Sequence, residues 1–285
     1  VAANAAVSVA ANREVESAHM EDMEKIDIEN TILVAGDWHA DAEWAERVIR
    51  EAAKVGYRTI IHAGDLGVLW PSGGGPKTED RFTRLLKRWL KKSGIILIFA
   101  DGNHDVHPRL RQLPLNEDGF GVISSQLLYS PRGHRFTLGG KRFASFGGAV
   151  SIDKSMRVEG RTFWPEEAIT AENLSRLGKE PVDILITHEV AAGIKVESGL
   201  IYPLGEELAH ETYQQRPLVA DAVRNVNPLH VFSGHWHQRI SQRFENTRAT
   251  VHVLDMNRYP DNTINLDLAT LEVTPFPIHL PHPFL

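Results

Sequence analysis

The chain has no cysteine among its 285 residues. That removes disulfides, thiolate metal sites and a cysteine nucleophile, so any metal it holds must sit on nitrogen and oxygen donors. It also has no apolar run approaching the roughly 18 residues that span a bilayer, and no membrane partner is expected. An excess of positive charge is missing as well. The formal net charge is -6, which argues against a broad basic face that grips duplex nucleic acid by neutralising phosphates. Small anionic substrates remain open. Gly73 to Gly75 in "PSGGGPK" lack the strand, the spacing and the lysine directly after the last glycine that a phosphate-cradling loop has. Repeats and low-complexity linkers are absent from the sequence, and a cytoplasmic location is the expectation.

What is present is ordinary for a folded domain: 42% of the residues are hydrophobic, enough to build a substantial core. Residues 1 to 30, opening on the alanine-rich "VAANAAVSVAAN", read as an extension that carries no chemistry. No basic segment precedes its small apolar residues, so no secretory signal is expected there. From residue 31 the chain alternates short apolar runs with amphipathic stretches, the pattern of an α/β domain that continues to residue 285. "TILVAG", "RTIIHAG", "IILIFADG", "VDILITHE" and "LHVFSGHWH" read as buried strands. Helices are expected over "DAEWAERVIREAAKVG", with Asp41 as N-cap and Gly56 as stop, and over "KTEDRFTRLLKRWLKKSG", "PEEAITAENLSRLG" and "PLVADAVRNV". "GVISSQLLYS" and "HRFTLGGKRFASFGG" have a hairpin texture around Gly139-Gly140, and "ATVHVLDM", "NTINLDLAT" and "LEVTPF" add further strands. Helices early and hairpins late suggest two packed sheets with helices outside them.

Five of the expected strands end in a cluster of metal-friendly groups: "GDWH" (Asp37, His39), "GDLG" (Asp65), "GNHD" (Asn103, His104, Asp105), "THE" (His188) and "GHWH" (His235, His237). Open α/β sheets bind ligands beyond the carboxyl ends of their strands, so clusters spread over the whole chain should meet in space. Carboxylates, imidazoles and one amide suit manganese first, with iron, zinc, cobalt or nickel as alternatives, and the donors are too many for a single ion. Two divalent ions can clamp a phosphate and lower the pKa of a water between them for in-line attack on phosphorus.

The ordered set GDxH, GD, GNHD, H, GHxH resembles the calcineurin-like metallophosphoesterase superfamily over residues 31 to about 240. Any one of these motifs alone is weak, and all five in order behind strands are specific. The resemblance implies a four-layer α/β/β/α sandwich of two mixed sheets with the metal site at the strand C-termini. Matched position by position, it implies Asp37, His39 and His237 at a first ion, Asp65 bridging, and Asn103, His188 and His235 at a second. His104 resembles the catalytic histidine that steadies the phosphate and assists the leaving oxygen. Asp105 either orients that ring or caps the following turn. Protein phosphatases of the superfamily carry GDxxDRG where this chain has "GDLGVLW", so Val68 and Leu69 stand in place of their aspartate and arginine, and Ala40 follows His39 where many relatives have glycine.

A cation for the substrate phosphate is therefore expected elsewhere, at Arg157 or Lys154 in the glycine-bearing loop 147–167. Trp38 and Trp236, between paired ligands, are expected to pack beside the site rather than stack on a base. His62, His107, His134, His210, His230 and His252 match no motif position and are expected to be structural. The expected activity is hydrolysis of a small phosphoester, a nucleotide-type phosphodiester such as a 2',3'-cyclic nucleotide ahead of a phosphomonoester. Nuclease and non-catalytic scaffold roles rank behind these.

Overall fold

The computed structural model describes residues 30–71, 79–197 and 206–279. The glycine run at 73–75 and the expected extension lie outside these, as does the start of the second expected helix. Two sheets carry the fold. The first joins β1 (Thr31–Ala35), β2 (Thr59–His62), β3 (Ile96–Phe99), β4 (Gly121–Ser124), β5 (Leu127–Tyr129), β12 (Thr263–Asp267) and β13 (Val273–Pro275) in the order β13-β12-β1-β2-β3-β5-β4. The second joins β6 (Arg135–Leu138), β7 (Lys141–Phe146), β8 (Ile184–Thr187), β9 (His230–Ser233), β10 (Ile240–Arg243) and β11 (Thr250–Val253) in the order β10-β11-β9-β8-β7-β6.

Strand alternation sets the layers. On β1, Ile32 and Val34 face the second sheet and pack with Ile184, Ile186 and Phe232, whereas Leu33 and Ala35 face the opposite way. There they meet α1 (Ala42–Val55) and α2 (Arg81–Ser93), whose apolar stripes supply Trp44, Val48, Ile49, Leu86 and Leu90. On the far side, α4 (Ala171–Leu177) and α5 (Glu206–Val226) cover Ala144, Phe146, Leu185, Val231 and Val251 of the second sheet. A single turn, α3 (His107–Leu110), follows the third motif. The result is the expected α/β/β/α sandwich. Among the described residues no helix is long and apolar enough to cross a membrane.

Helix ends obey local chemistry. Asp41 accepts the Trp44 amide at 3.1 Å to start α1, and Gly56, left-handed at φ 102, stops it. Asp80 caps α2 by accepting both the amide and hydroxyl of Thr83. The helix expected over residues 165–178 is shorter: Pro165–Glu167 form a 3-10 turn, and α4 begins after Thr170, which shares a reciprocal capping box with Asn173. That cap fixes the start six residues later than the sequence pattern suggests. Helix α5 begins at Glu206 and runs through Pro217, which reads in sequence as a starting point. Strand β10, not anticipated, completes an antiparallel edge on β11.

Candidate metal centre

Strands β1, β2 and β3 are mutually parallel, as are β8 and β9, so the chain leaves all five at one edge of the sandwich. The turns there are tight. Asp65, His39, His235 and His237 have positive φ values of 54, 46, 68 and 50, rare for residues with a side chain and typical of sites where geometry is imposed by the surroundings. Two glycines make the approach feasible. A Cβ at Gly234 would lie 2.0 Å from Asp37 Oδ1, and one at Gly64, itself at φ 99, would lie 2.4 Å from His188 Nδ1.

The five clusters meet. Asp37 Oδ2 lies 3.1 Å from His237 Nε2 and 3.8 Å from His39 Nε2. Asp65 reaches His39 Nε2 at 3.4 Å through Oδ2 and His188 Nε2 at 3.3 Å through Oδ1. His188 ties the sheets together: its Nε2 also lies 3.1 Å from Asn103 Oδ1, and its Nδ1 lies 2.8 Å from the Ala63 carbonyl and 3.9 Å from Asp37 Oδ1. Three overlapping trios therefore have donor atoms within 4.8 Å of one another: Asp37-His39-His237, His39-Asp65-His104 and Asp37-Asp65-His188. The His235 ring adjoins that of His188 at 5.1 Å, and its backbone amide donates to both oxygens of Asp37.

The donor set fits divalent ions. Asp37 and Asp65 are fully buried carboxylates, and no lysine or arginine pairs with either among the described residues. Burial alone would raise both, yet neighbouring imidazoles, His188 foremost, hold Asp37 below and Asp65 well below the usual carboxylate range. Conversely, burial would depress His188 and His39, but the two carboxylates hold them up at about 10 and about 9. Imidazolium charge thus stands where a pair of buried anions demands cations.

Arg157 and Lys154 part company. Arg157 Nη2 lies 2.7 and 2.9 Å from the two ring nitrogens of His104 and donates to Asp153 Oδ2 at 2.8 Å. Lys154, which opens the 3-10 turn (Lys154–Met156) that Arg157 follows, instead pairs with Glu211 on α5. Asp105 belongs to the backbone. Its carboxylate accepts the amides of Asp65 (3.1 Å), Gly67 (2.9 Å) and Gly102 (2.8 Å), and these amides, rather than the His104 ring, are its partners. These contacts pin the turns after β2 and β3 together, at a residue for which the sequence left open a role in orienting the His104 ring.

Several supports were invisible as motifs. Ser151 joins Asn103 Nδ2 (3.1 Å) to the buried carboxylate of Glu167, which burial pushes up to about 7. Asn257 meets His39 Nδ1 at 3.0 Å. Asn262 accepts from the indoles of Trp38 and Trp44 and donates to the carbonyls of Asp37 and Asp255. Trp38 is fully buried and so packs beneath the site; Trp236 donates its indole N–H to Glu189. The only trace of these residues in the sequence is a polar side chain where a core residue would be expected.

Residues 30–239 match the family of calcineurin-like phosphoesterases, and the chain belongs to that family. It is a metal-dependent phosphoester hydrolase of the kind that uses a dinuclear divalent centre. Among solved structures it is similar to a dimetal phosphatase from Danio rerio at a TM-score of 0.50 and 11% identity, over 85% of this chain and 93% of that one. A Thermus thermophilus protein aligns at a TM-score of 0.49 and 16% identity over 86% and 96%, and an archaeal phosphodiesterase at 0.42 and 12% over 87% and 99%. At such identities the likeness is one of fold. No curated protein matches the sequence.

Proposed function

We propose that the protein is a phosphodiesterase acting on small nucleotide-type diesters, 2',3'-cyclic nucleotides among them, with two manganese ions as its preferred metals. The observation that carries the reading is Arg157, the one guanidinium among the described residues set against His104 beside the Asp/His cluster, in a chain whose second motif lacks the phosphate-gripping arginine. One fixed cation matches the single negative charge of a diester better than the double charge of a monoester. Asp37, His39 and His237 would hold one ion, Asn103, His188 and His235 the other, with Asp65 between them. Ions bound there supply Lewis acidity toward a phosphoryl oxygen and acidify water.

The chain's own groups do the rest. Arg157 grips a non-bridging oxygen when substrate displaces its contact with the imidazole. His104, its backbone amide held at 2.6 Å from Asp65 Oδ1, keeps its ring at the side of the cluster where the leaving oxygen departs; with the Arg157 contact replaced by the negative charge of the phosphate, the neutral ring takes up a proton from water and passes it to that oxygen. Asp153 restrains the guanidinium until substrate arrives.

The test is a paired assay on protein stripped with chelator and reloaded with manganese, given an aryl phosphodiester and the matching monoester. Faster diester turnover is expected, falling about 10²- to 10⁴-fold in His104→Ala with bound metal retained, and lost together with metal in Asp65→Ala. Preference for the monoester would overturn the diester reading. No turnover of either ester would overturn the catalytic one.

A further inference from the structure

Glu189, the residue after His188 at the end of β8, is fully buried. Its two oxygens do different things. Oε1 accepts from the indole of Trp236 at 2.7 Å and from the Val190 amide at 2.7 Å. Oε2 is buried with no hydrogen-bond partner among the described residues, and it lies 3.6 Å from Nε2 of His235. A carboxylate oxygen left bare in the interior is costly unless a proton donor faces it. The group that faces this one is a ring nitrogen of a residue in the ligand set.

We propose that Glu189 is the positioning residue for His235: Oε2, facing Nε2 of that imidazole just beyond hydrogen-bond distance, holds the ring proton on Nε2 by its charge, fixing the tautomer whose Nδ1 lone pair is free for the second metal ion. The inference rests on the dinuclear reading given above. A neutral imidazole has one N–H and one lone pair, so a carboxylate committed to one nitrogen decides which nitrogen can coordinate. Trp236 completes the device. Its indole N–H anchors Oε1, and its ring lies under the Arg216 guanidinium, 5.2 Å from centroid to cation. Arg216 is in turn tied to the carbonyls of Val190, Ala191 and Ile194. The carboxylate therefore cannot swing away from His235 without breaking the Trp236 contact. This gives the tryptophan of "GHWH" a purpose that its position between two ligands does not reveal.

The discriminating variant is Glu189→Gln. The amide carbonyl still accepts from Trp236 and Val190, so the anchoring survives. The other arm now offers an NH₂ to His235 Nε2, which must answer with a lone pair and move its own proton to Nδ1. Metal-free wild type and variant would be titrated with manganese by calorimetry, and the zinc-loaded forms compared by long-range ¹H–¹⁵N spectra of the histidine rings. The wild type is expected to bind two ions and to show His235 with its proton on Nε2. In Glu189→Gln the first ion should bind normally and the second about 10- to 100-fold more weakly, with the His235 pattern changed. Trp236→Phe, which removes only the anchor's donor, should weaken the second ion less. The proposal is overturned if Glu189→Gln binds both ions as the wild type does with an unchanged His235 signal, or if Trp236→Phe matches its loss. Fewer than two ions in the wild type would overturn the dinuclear reading, and this inference with it.

Discussion

Arg157 keeps only 11% of its side chain in contact with solvent and gives one nitrogen to His104 and Asp153. A guanidinium has no lone pair to offer, so the imidazole it touches must present one, and His104 meets it as a neutral ring. Burial lowers the basicity of that ring, and the Arg157 charge adds to the effect against the opposing pull of Asp65. Nothing in the sequence separates Arg157 from Lys154, three positions earlier in the same polar loop. The turn between them sends one to the imidazole and the other to Glu211. A charge-assisted hydrogen bond is worth about 1.5–3 kcal/mol, so Arg157→Ala should lower kcat/KM for a phosphodiester by about 10- to 150-fold, mainly through KM. Lys154→Ala should leave both constants near wild type. Steady-state kinetics on the two variants checks this, and equal losses would show that the loop acts as a whole.

At the level of strands and turns, the site is a set of sheet edges stitched together by backbone contacts. Asp105 holds three amides from two different turns. Each buried donor left unpaired costs about 1–3 kcal/mol, so Asp105→Ala should lower unfolding free energy by at least about 2 kcal/mol, measured by urea titration of metal-free protein. Gly234→Ala tests the turn after β9. The added methyl would displace the Asp37 carboxylate from 2.0 Å away, so metal stoichiometry should fall while the far-ultraviolet circular dichroism spectrum stays intact. Retention of both metals by this variant would mean that the turn can yield. Strand and helix periodicity made most of these elements legible, together with local caps such as Asp41 and Gly56. The late start of α4 and the early start of α5 were not, because a capping box and a helix carried through Pro217 depend on what packs against them.

Across the whole molecule, several histidines are sealed in the interior as neutral rings, and they make the fold sensitive to acid. His252 on β11 lies between His230 and Ser241, and burial, with His230 and Arg239 nearby, drops it to about 3. In the unfolded chain it would take a proton near its ordinary value of about 6.5. Between those limits the unfolded state binds a proton that the folded state refuses, so stability falls as pH drops, by up to about 1.4 kcal/mol per unit from this residue. His252→Gln should therefore lose less stability than wild type between pH 7 and pH 4.5, with both proteins metal-free so that ligand protonation is common to each. Equal losses in the two would place the acid sensitivity elsewhere, His62 and His107 being the next sealed rings at about 3 and about 4.

By itself, the order of residues determined the layered class, the strand ends and the donor types, because periodicity, caps and clustered Asp, His and Asn residues are local properties written within a few positions of one another. The family resemblance rests on the same short stretches. Tertiary structure alone decided the rest. It set Arg157 against His104 and Lys154 against Glu211, turned Asp105 toward backbone amides, and brought Glu189 to His235 and Asn262 beneath Trp38. Those outcomes depend on distances between residues far apart in the chain, and a buried polar group declares its role only when packing shows which partner remains to satisfy it.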